Sequence, residues 1–270
     1  MARKALPVSK LRARRRKRRA IVSLSALGLL LLLCAIGIGI SWLPWLRIGE
    51  VEARGATSVK QDQVREVVEN ELQGARWYIF AKDNIFLYPK VDIERKLMEE
   101  FPTFERVTVS KDNVWTLLVE ITERTSQALW CGESPATSSA CYLLDSSGVA
   151  YAPAANFGSD VYIKYFGSVA PGAKKQFLEP TQFNVLSATA HALKAQVQGL
   201  RLISISVLNN EVRADFEGGF AILFLVSDSG ADVLERIALA LQSEPFAKRS
   251  LTDFAYLDLR FGDKLYYKLK

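Results

Sequence analysis

Histidine and cysteine are nearly missing from these 270 residues, with one His and three Cys. That scarcity leaves no Cys/His cluster at metal-ligand spacing, so no metal or cofactor is expected. No Gly-rich phosphate loop follows a strand-like run, and no Gly-x-Ser-x-Gly elbow occurs. Their absence removes the usual signatures of nucleotide and acyl chemistry. The one imidazole, His191, lies in a helical pattern between Ala190 and Ala192, with no nucleophile at a useful spacing. A lone helical His is more often structural or solvated than a base. Glu50/Glu52 and Glu99/Glu100 read as the polar face of a strand and the exposed end of a helix, because neighbouring acids do not converge on one point. The reading is a protein that is not an enzyme and has no small-molecule substrate.

Acid is also missing from the first 19 positions, which hold ten of the 35 Lys/Arg, among them Arg3, Lys4, Lys10, Arg12 and the block from Arg14 to Arg19. A charge-free run from Ala20 to Leu46 follows. As a helix, Ala20 to Leu43 rises roughly 36 Å, enough to cross a hydrocarbon core of about 30 Å with some tilt. The positive-inside rule leaves the tail cytoplasmic and the remainder outside, with Trp42 and Trp45 at the outer interface. The run is too long for an ordinary signal-peptide core and has no small-residue cleavage site after it. Leu33 before Cys34 lacks the small side chain a lipoprotein signal needs, so Cys34 reads as a buried apolar thiol. Ala35 and Gly39 give a small-xxx-small face suited to a lateral helix contact, a spacing that also arises by chance in Gly-rich spans. Beyond the tail, 25 basic residues face 29 acids, a net charge of −4. No basic stripe remains there, and no nucleic-acid partner is expected. The tail suits anionic membrane lipid at about 1 kcal/mol per charge, with DNA or an acidic protein as the sharper alternative.

The rest divides by pattern. Residues 1–19 form the basic tail, 20–46 the span and outer interface, 47–124 a first domain and 125–270 a second. In the first, Ile48–Arg54 reads as a strand. A helix opens at Ser58 with Gln61 as a capping box and buries Val64, Val67, Val68 and Leu72 until Gly74. Asn84-Ile-Phe-Leu reads as an extended connector. A second helix from Val91 to Phe101 ends at Pro102, and the strands Arg106–Lys111 and Trp115–Glu123 close the unit. The second domain has a hairpin around Asp145-Ser-Ser-Gly148, helices at Thr181–Val197 and Gly230–Gln242, and strands at Leu200–Val207, Val212–Phe216, Phe220–Leu225, Tyr256–Phe261 and Lys264–Lys268. The two outward thiols, Cys131 and Cys141, end neighbouring strand-like runs, and a cross-strand disulfide between them is geometrically natural. Two free thiols in a reducing compartment are the alternative.

Strand, helix, helix, strand, strand is the pattern of a POTRA domain. With Arg54-Gly55, Asn84-Ile85-Phe86, Phe101-Pro102, Val107–Val109, Val119-Glu-Ile-Thr-Glu-Arg124 and the closing Asp258-Leu-Arg-Phe261, the chain resembles the FtsQ/DivIB family of bacterial cell-division proteins. The insertion Gln73 to Asp83, with Trp77 and Tyr78, is longer than the usual connector of that family. The resemblance implies an α+β fold: one transmembrane helix, a POTRA domain, then a mainly antiparallel β domain with flanking helices. It also implies a non-enzymatic divisome scaffold in the cytoplasmic membrane at the division septum, docking the coiled-coil partners FtsB and FtsL through its closing strands. An accessory of secretion or outer-membrane assembly, and an anchored cell-wall hydrolase, are the competing readings. No barrel-like strand series supports the first of these.

In the last strand, period two puts Leu265, Tyr267 and Leu269 on one face and Lys264, Tyr266, Lys268 and Lys270 on the other. The residues alone leave two readings: an edge guarded by lysines with Tyr267 in the core, or an edge that receives a partner strand. The resemblance implies the second, with Arg260, Phe261, Lys264, Tyr266 and Lys268 as the partner-binding residues.

Overall fold

The structure is a computed structural model. It describes residues 8–76, 79–136, 140–155, 161–170 and 175–270, with side chains from Lys17 onward except that of Arg76. Trp77 and Tyr78, Arg3 and Lys4 lie outside the described residues. The chain divides into two compact units, Met1–Glu123 and Arg124–Lys270.

The first unit opens with α1 (Val8–Ser41). Its segment Lys17–Ser41, 25 residues at a mean hydropathy of 2.7, is long and apolar enough to cross a membrane. The helix extends back into the basic tail, further than the hydropathy pattern alone indicated, because Arg, Lys, Leu and Ala propagate a helix well once it is nucleated. Past the helix come β1 (Glu50–Arg54), α2 (Gln61–Leu72), the short arms β2 (Ala75–Arg76) and β3 (Phe80–Ala81), α3 (Lys90–Glu100), β4 (Phe104–Lys111) and β5 (Thr116–Glu123). The three-stranded sheet has the order β1-β5-β4, with β5 central, parallel to β1 and antiparallel to β4. Leu117, Val119 and Ile121 of β5, at every second position, meet Val64, Val68 and Leu72 of α2 and Ile93 and Leu97 of α3 in one core. Two periods, 2 and 3.6, thus point at the same interior. Truncating Leu72, Ile93, Leu97, Leu117 or Ile121 to Ala costs about 2–5 kcal/mol.

Two local expectations are corrected. The helix begins at Gln61, and the Gln63 Oε1 accepts the Lys60 N–H at 3.3 Å. Ser58 serves Glu123 instead: that carboxylate accepts from Thr57 N (2.8 Å), Ser58 N (2.8 Å), Ser58 Oγ (2.7 Å) and Thr57 Oγ1. A charged acceptor holds these donors more strongly than a neutral cap would. Partial burial pulls the Glu123 carboxyl upward, but the Thr57 and Ser58 hydrogen bonds outweigh it and set it at about 2. The second correction is Asn84. It makes a turn rather than an extended connector, its Oδ1 accepting Phe86 N at 3.0 Å and its carbonyl accepting Leu87 N at 2.9 Å. An Asn side chain that mimics a backbone turn readily overrides the extended reading of Ile-Phe-Leu.

The second unit is built on ten strands: β6 (Ala128–Trp130), β7 (Tyr142–Leu144), β8 (Val149–Pro153), β9 (Lys164–Phe166), β10 (Lys175–Gln176), β11 (Leu202–Leu208), β12 (Glu211–Phe216), β13 (Ala221–Leu225), β14 (Phe254–Phe261) and β15 (Lys264–Leu269). They form one sheet in the order β10-β8-β7-β6-β9-β11-β12-β13-β14-β15. Helix α4 (Pro180–Gln196) precedes β11, and α5 (Gly230–Gln242) lies between β13 and β14. The pairs β6/β9, β9/β11 and β13/β14 are parallel and the others antiparallel. A helix between two neighbouring strands carries the chain back to its starting end, which makes β9/β11 and β13/β14 parallel. Phe183, Leu186, Ala190 and Leu193 of α4 and Val233, Ile237 and Ala240 of α5 share a core with Ile205, Val212, Ile222, Phe224 and Leu257 of the sheet. Alternate residues of β12, Glu211 and Arg213 among them, are exposed, so the sheet is packed on one face and wet on the other here, while around β6 and β9 the second face buries Leu129, Cys131 and Phe166.

A disulfide joins Cys131, just past β6, to Cys141, just before β7. The hairpin β7–β8 is organised by Asp145, buried at 4% exposure. Its Oδ1 accepts from Ser147 N (2.9 Å), Ser147 Oγ (2.8 Å) and Val149 N (2.9 Å), and its Oδ2 pairs with Arg124.

Candidate functional site

Among the described residues, strand β15 hydrogen-bonds to β14 on one side and ends the sheet on the other. Alternate residues of an edge strand turn their N–H and C=O groups outward, so β15 offers an unfilled ladder along its length. What makes this edge is local. Phe261 pairs with Lys264 across the two-residue loop Gly262-Asp263, and Gly262 has φ +60° at the first loop position, a geometry Gly adopts without a Cβ penalty. From α5, Arg236 donates to the carbonyls of Leu259 (2.6 Å) and Gly262, gripping the hairpin at its turn. At the other end, Lys270 N donates to Asp253 O at 3.0 Å and its Nζ to Thr252 O at 2.7 Å and to Gly218 O. The strand is held at both ends and open along its flank.

The side chains of the edge fall on two faces. On the wet face Tyr266, 48% exposed, stands edge-on to Phe261, 55% exposed, with ring centroids 5.2 Å apart. On the other face Tyr267 meets the stacked pair Phe246/Phe254 at 5.6 and 5.8 Å. Such offset and edge-on contacts fix ring orientation. Lys264 and Lys268 are exposed along the same strand.

Of the five residues singled out from the sequence, four are therefore displayed and one is engaged. Arg260 donates to both carboxylate oxygens of Asp258 (2.9 and 2.7 Å) and pairs with Glu211 of β12 at 2.6 Å. Burial alone would raise the Asp258 carboxyl, but the Arg260 hydrogen bonds outweigh it and hold it below its ordinary value. The Arg260 guanidinium is correspondingly raised, first by its hydrogen bond to Asp258. The Asp-x-Arg spacing at period two puts both groups on one face of β14, and Arg260 reaches past β13 to β12. Arg260 is thus a tie within the sheet that stiffens the strand behind the edge.

One of the two sequence readings put Tyr267 in the core, whereas it is 45% exposed, and Leu269 on the same face is 38% exposed. Their face is the packed one, but at the last strand the core thins, and periodicity reports face rather than depth. Arg236 was missed; an Arg on the apolar-patterned helix α5 was the only signal. His191 is exposed on α4. Among the described residues no group of three or more His, Cys, Asp or Glu is placed to hold a metal ion. The arrangement offers backbone hydrogen bonds, aromatic faces and two ammonium groups, which are means of binding a polypeptide. No protein-family model matches the chain, and no curated protein matches it.

Proposed function

We propose that this protein is a non-enzymatic scaffold of the bacterial divisome, similar to the FtsQ/DivIB family, with a POTRA domain as its first extracytoplasmic unit. It is anchored by one helix with the basic tail in the cytoplasm, and it works at the septum by binding FtsB-like and FtsL-like coiled-coil partners. The partner contributes an extended segment that completes the ladder of β15. Phe261 and Tyr266 pack against its side chains, and Lys264 and Lys268 meet its acidic residues. The observation that carries this reading is that, among the described residues, β15 has one hydrogen-bonded neighbour and a free flank six residues long. The order strand-helix-helix-strand-strand in the first unit, with the short arms β2 and β3 between the helices, supports the POTRA part.

Tyr266→Pro tests it. Proline removes one donor and bars close approach along the edge, so capture of the coiled-coil partners from membranes is expected to be lost while the disulfide and the unfolding transition persist. The adjacent substitution Tyr267→Pro covers the alternate register, since one of two successive N–H groups points outward. Full capture by both variants would refute strand addition.

A further inference from the structure

The membrane-facing end of the first unit carries apolar side chains that its core does not use. Helix α1 stops at Ser41, and the chain that leaves it is tied at once to the segment around residues 79–85. The Trp42 Nε1 donates to Ile79 O at 2.8 Å, Asn84 Nδ2 to Ser41 O at 3.0 Å, Ile85 N to Leu46 O at 2.9 Å and Ile48 N to Asp83 O at 2.7 Å. The end of the helix and this segment therefore share one level.

Topology brings a third segment to that level. β1 and β5 are parallel and in register, Glu50 opposite Thr116, so both begin at the end of the sheet where α1 arrives. The β4–β5 turn must lie there too, and Gly49 N donates to Trp115 O at 2.9 Å. The Trp115 ring lies against the backbone of Gly49, where a Cβ would come within 2.0 Å of it. Lys111 Nζ stands 4.5 Å from the ring centroid of Phe86, joining the turn to the 84–88 segment. The result is one rim of exposed apolar residues around the helix exit: Trp45 (68%), Ile79 (42%), Phe86 (61%), Leu87 (40%), Val114 (65%) and Trp115 (50%). Single exposed apolar residues need no explanation, but six from four separate chain segments at one end of a domain do.

We propose that this rim is a lipid-binding surface that sits in the headgroup layer of the bilayer crossed by α1. Its continuity with the end of the helix names the occupant. A helix that crosses the membrane must leave it at the interface, and Trp, Phe and aliphatic side chains at that depth are stabilised there, with Lys111 reaching lipid phosphate. The domain is thereby seated on the membrane, which fixes its orientation instead of leaving it to swing on the linker. This surface is separate from the β15 edge and does not depend on the identity of the partners.

Nitroxide accessibility in the full-length chain tests the proposal, using vesicles of phosphatidylethanolamine and phosphatidylglycerol. In a Cys34→Ala background, label is placed at Val114→Cys or at Glu100→Cys; Glu100 ends α3 at the start of β4, the opposite end of the sheet from the turn. The ratio of oxygen to water-soluble nickel-chelate collisions is expected to be several-fold higher at position 114 than at 100, and to fall toward the position 100 value when Phe86→Asp is added. The native Cys34, labelled in the unsubstituted chain, reports whether the helix is in the bilayer. Equal ratios at 114 and 100 with Cys34 buried in lipid would overturn the seating. Exclusion of both reagents at 114 would mean a second copy covers the rim and would overturn it equally, and Cys34 outside the lipid would remove its premise. An unchanged unfolding midpoint of the first unit, which holds every substituted position, excludes misfolding as the cause in any variant.

Discussion

The ten-stranded sheet treats its two edges in opposite ways. At one edge β10 is two residues long and half-buried, its Gln176 Nε2 donates to Ser147 O at 2.7 Å, and its Lys175 ammonium lies 3.9 Å from the Tyr142 ring centroid. Its side chains are turned back onto the sheet, and it is too short to template another chain. At the other edge β15 runs six residues, with exposed aromatic rings on both faces and two exposed lysines. A sheet that closes one edge by brevity and leaves the other long is not avoiding edges in general. The proposed strand addition rests on that difference, and exposed lysines on a long edge discourage pairing between identical copies.

The contrast breaks most completely at the closed end. Asp145 accepts Arg124, whose side chain is 8% exposed, and removing one member of such a buried pair costs about 3–5 kcal/mol. Asp145→Ala should lower the unfolding free energy by that amount, read from the shift of the denaturant midpoint, while β15, at the far end of the sheet, is expected still to capture partner from membranes. Reduction of the Cys131–Cys141 disulfide comes next. It reopens a loop with a sequence separation of 10, worth about 2.5–3 kcal/mol by loop entropy, readable by calorimetry with and without reductant. A smaller effect, in the first unit and away from both edges, serves as the control: Glu123→Gln should cost about 1 kcal/mol once solvent screening is allowed for. Because the folded carboxyl lies at about 2, below its ordinary 4.5, its contribution is complete above pH 4.5 and is lost as pH falls toward 2. Acid titration followed by circular dichroism should show that loss in the parent and not in Glu123→Gln. Smallest in stability is Tyr266→Ala, at under about 1 kcal/mol for an exposed edge position. It should nevertheless weaken partner capture more than any of the others, and an unaffected capture would erase the distinction between the edges.

Much of this was legible in the residues because it is periodic. The α5 boundaries Gly230–Gln242 follow the apolar spacing, and Leu117, Val119 and Ile121 announce β5 by alternation. The open edge was legible as well, since a lysine-flanked final strand after Gly262-Asp263 reads as the arm of a hairpin. Pairing between distant elements was not. The parallel β6/β9 contact joins three-residue strands, too short to show a pattern, and it depends on strand order. Arg260 looked free because its second partner, Glu211, lies 49 positions earlier in the chain. Tyr267 alternates onto the packed face, yet how much interior remains there depends on having no further strand beside it. The apolar rim draws on residues near 45, 79, 86 and 115, which no local window joins.

The register of β14 against β15 slips twice, between Phe254 and Tyr256 and between Asp258 and Phe261, so β14 carries an extra residue at each place. Bulges sharpen the right-handed coil of a ribbon, and the final arm inherits that coil. A rigid, flat strand from another molecule would follow it for only part of its roughly 20 Å length. A short flexible peptide that bends as it zips would follow it throughout. The pair of irregularities therefore gives the edge a coil that a flexible segment can match over its whole length and a long straight ribbon cannot.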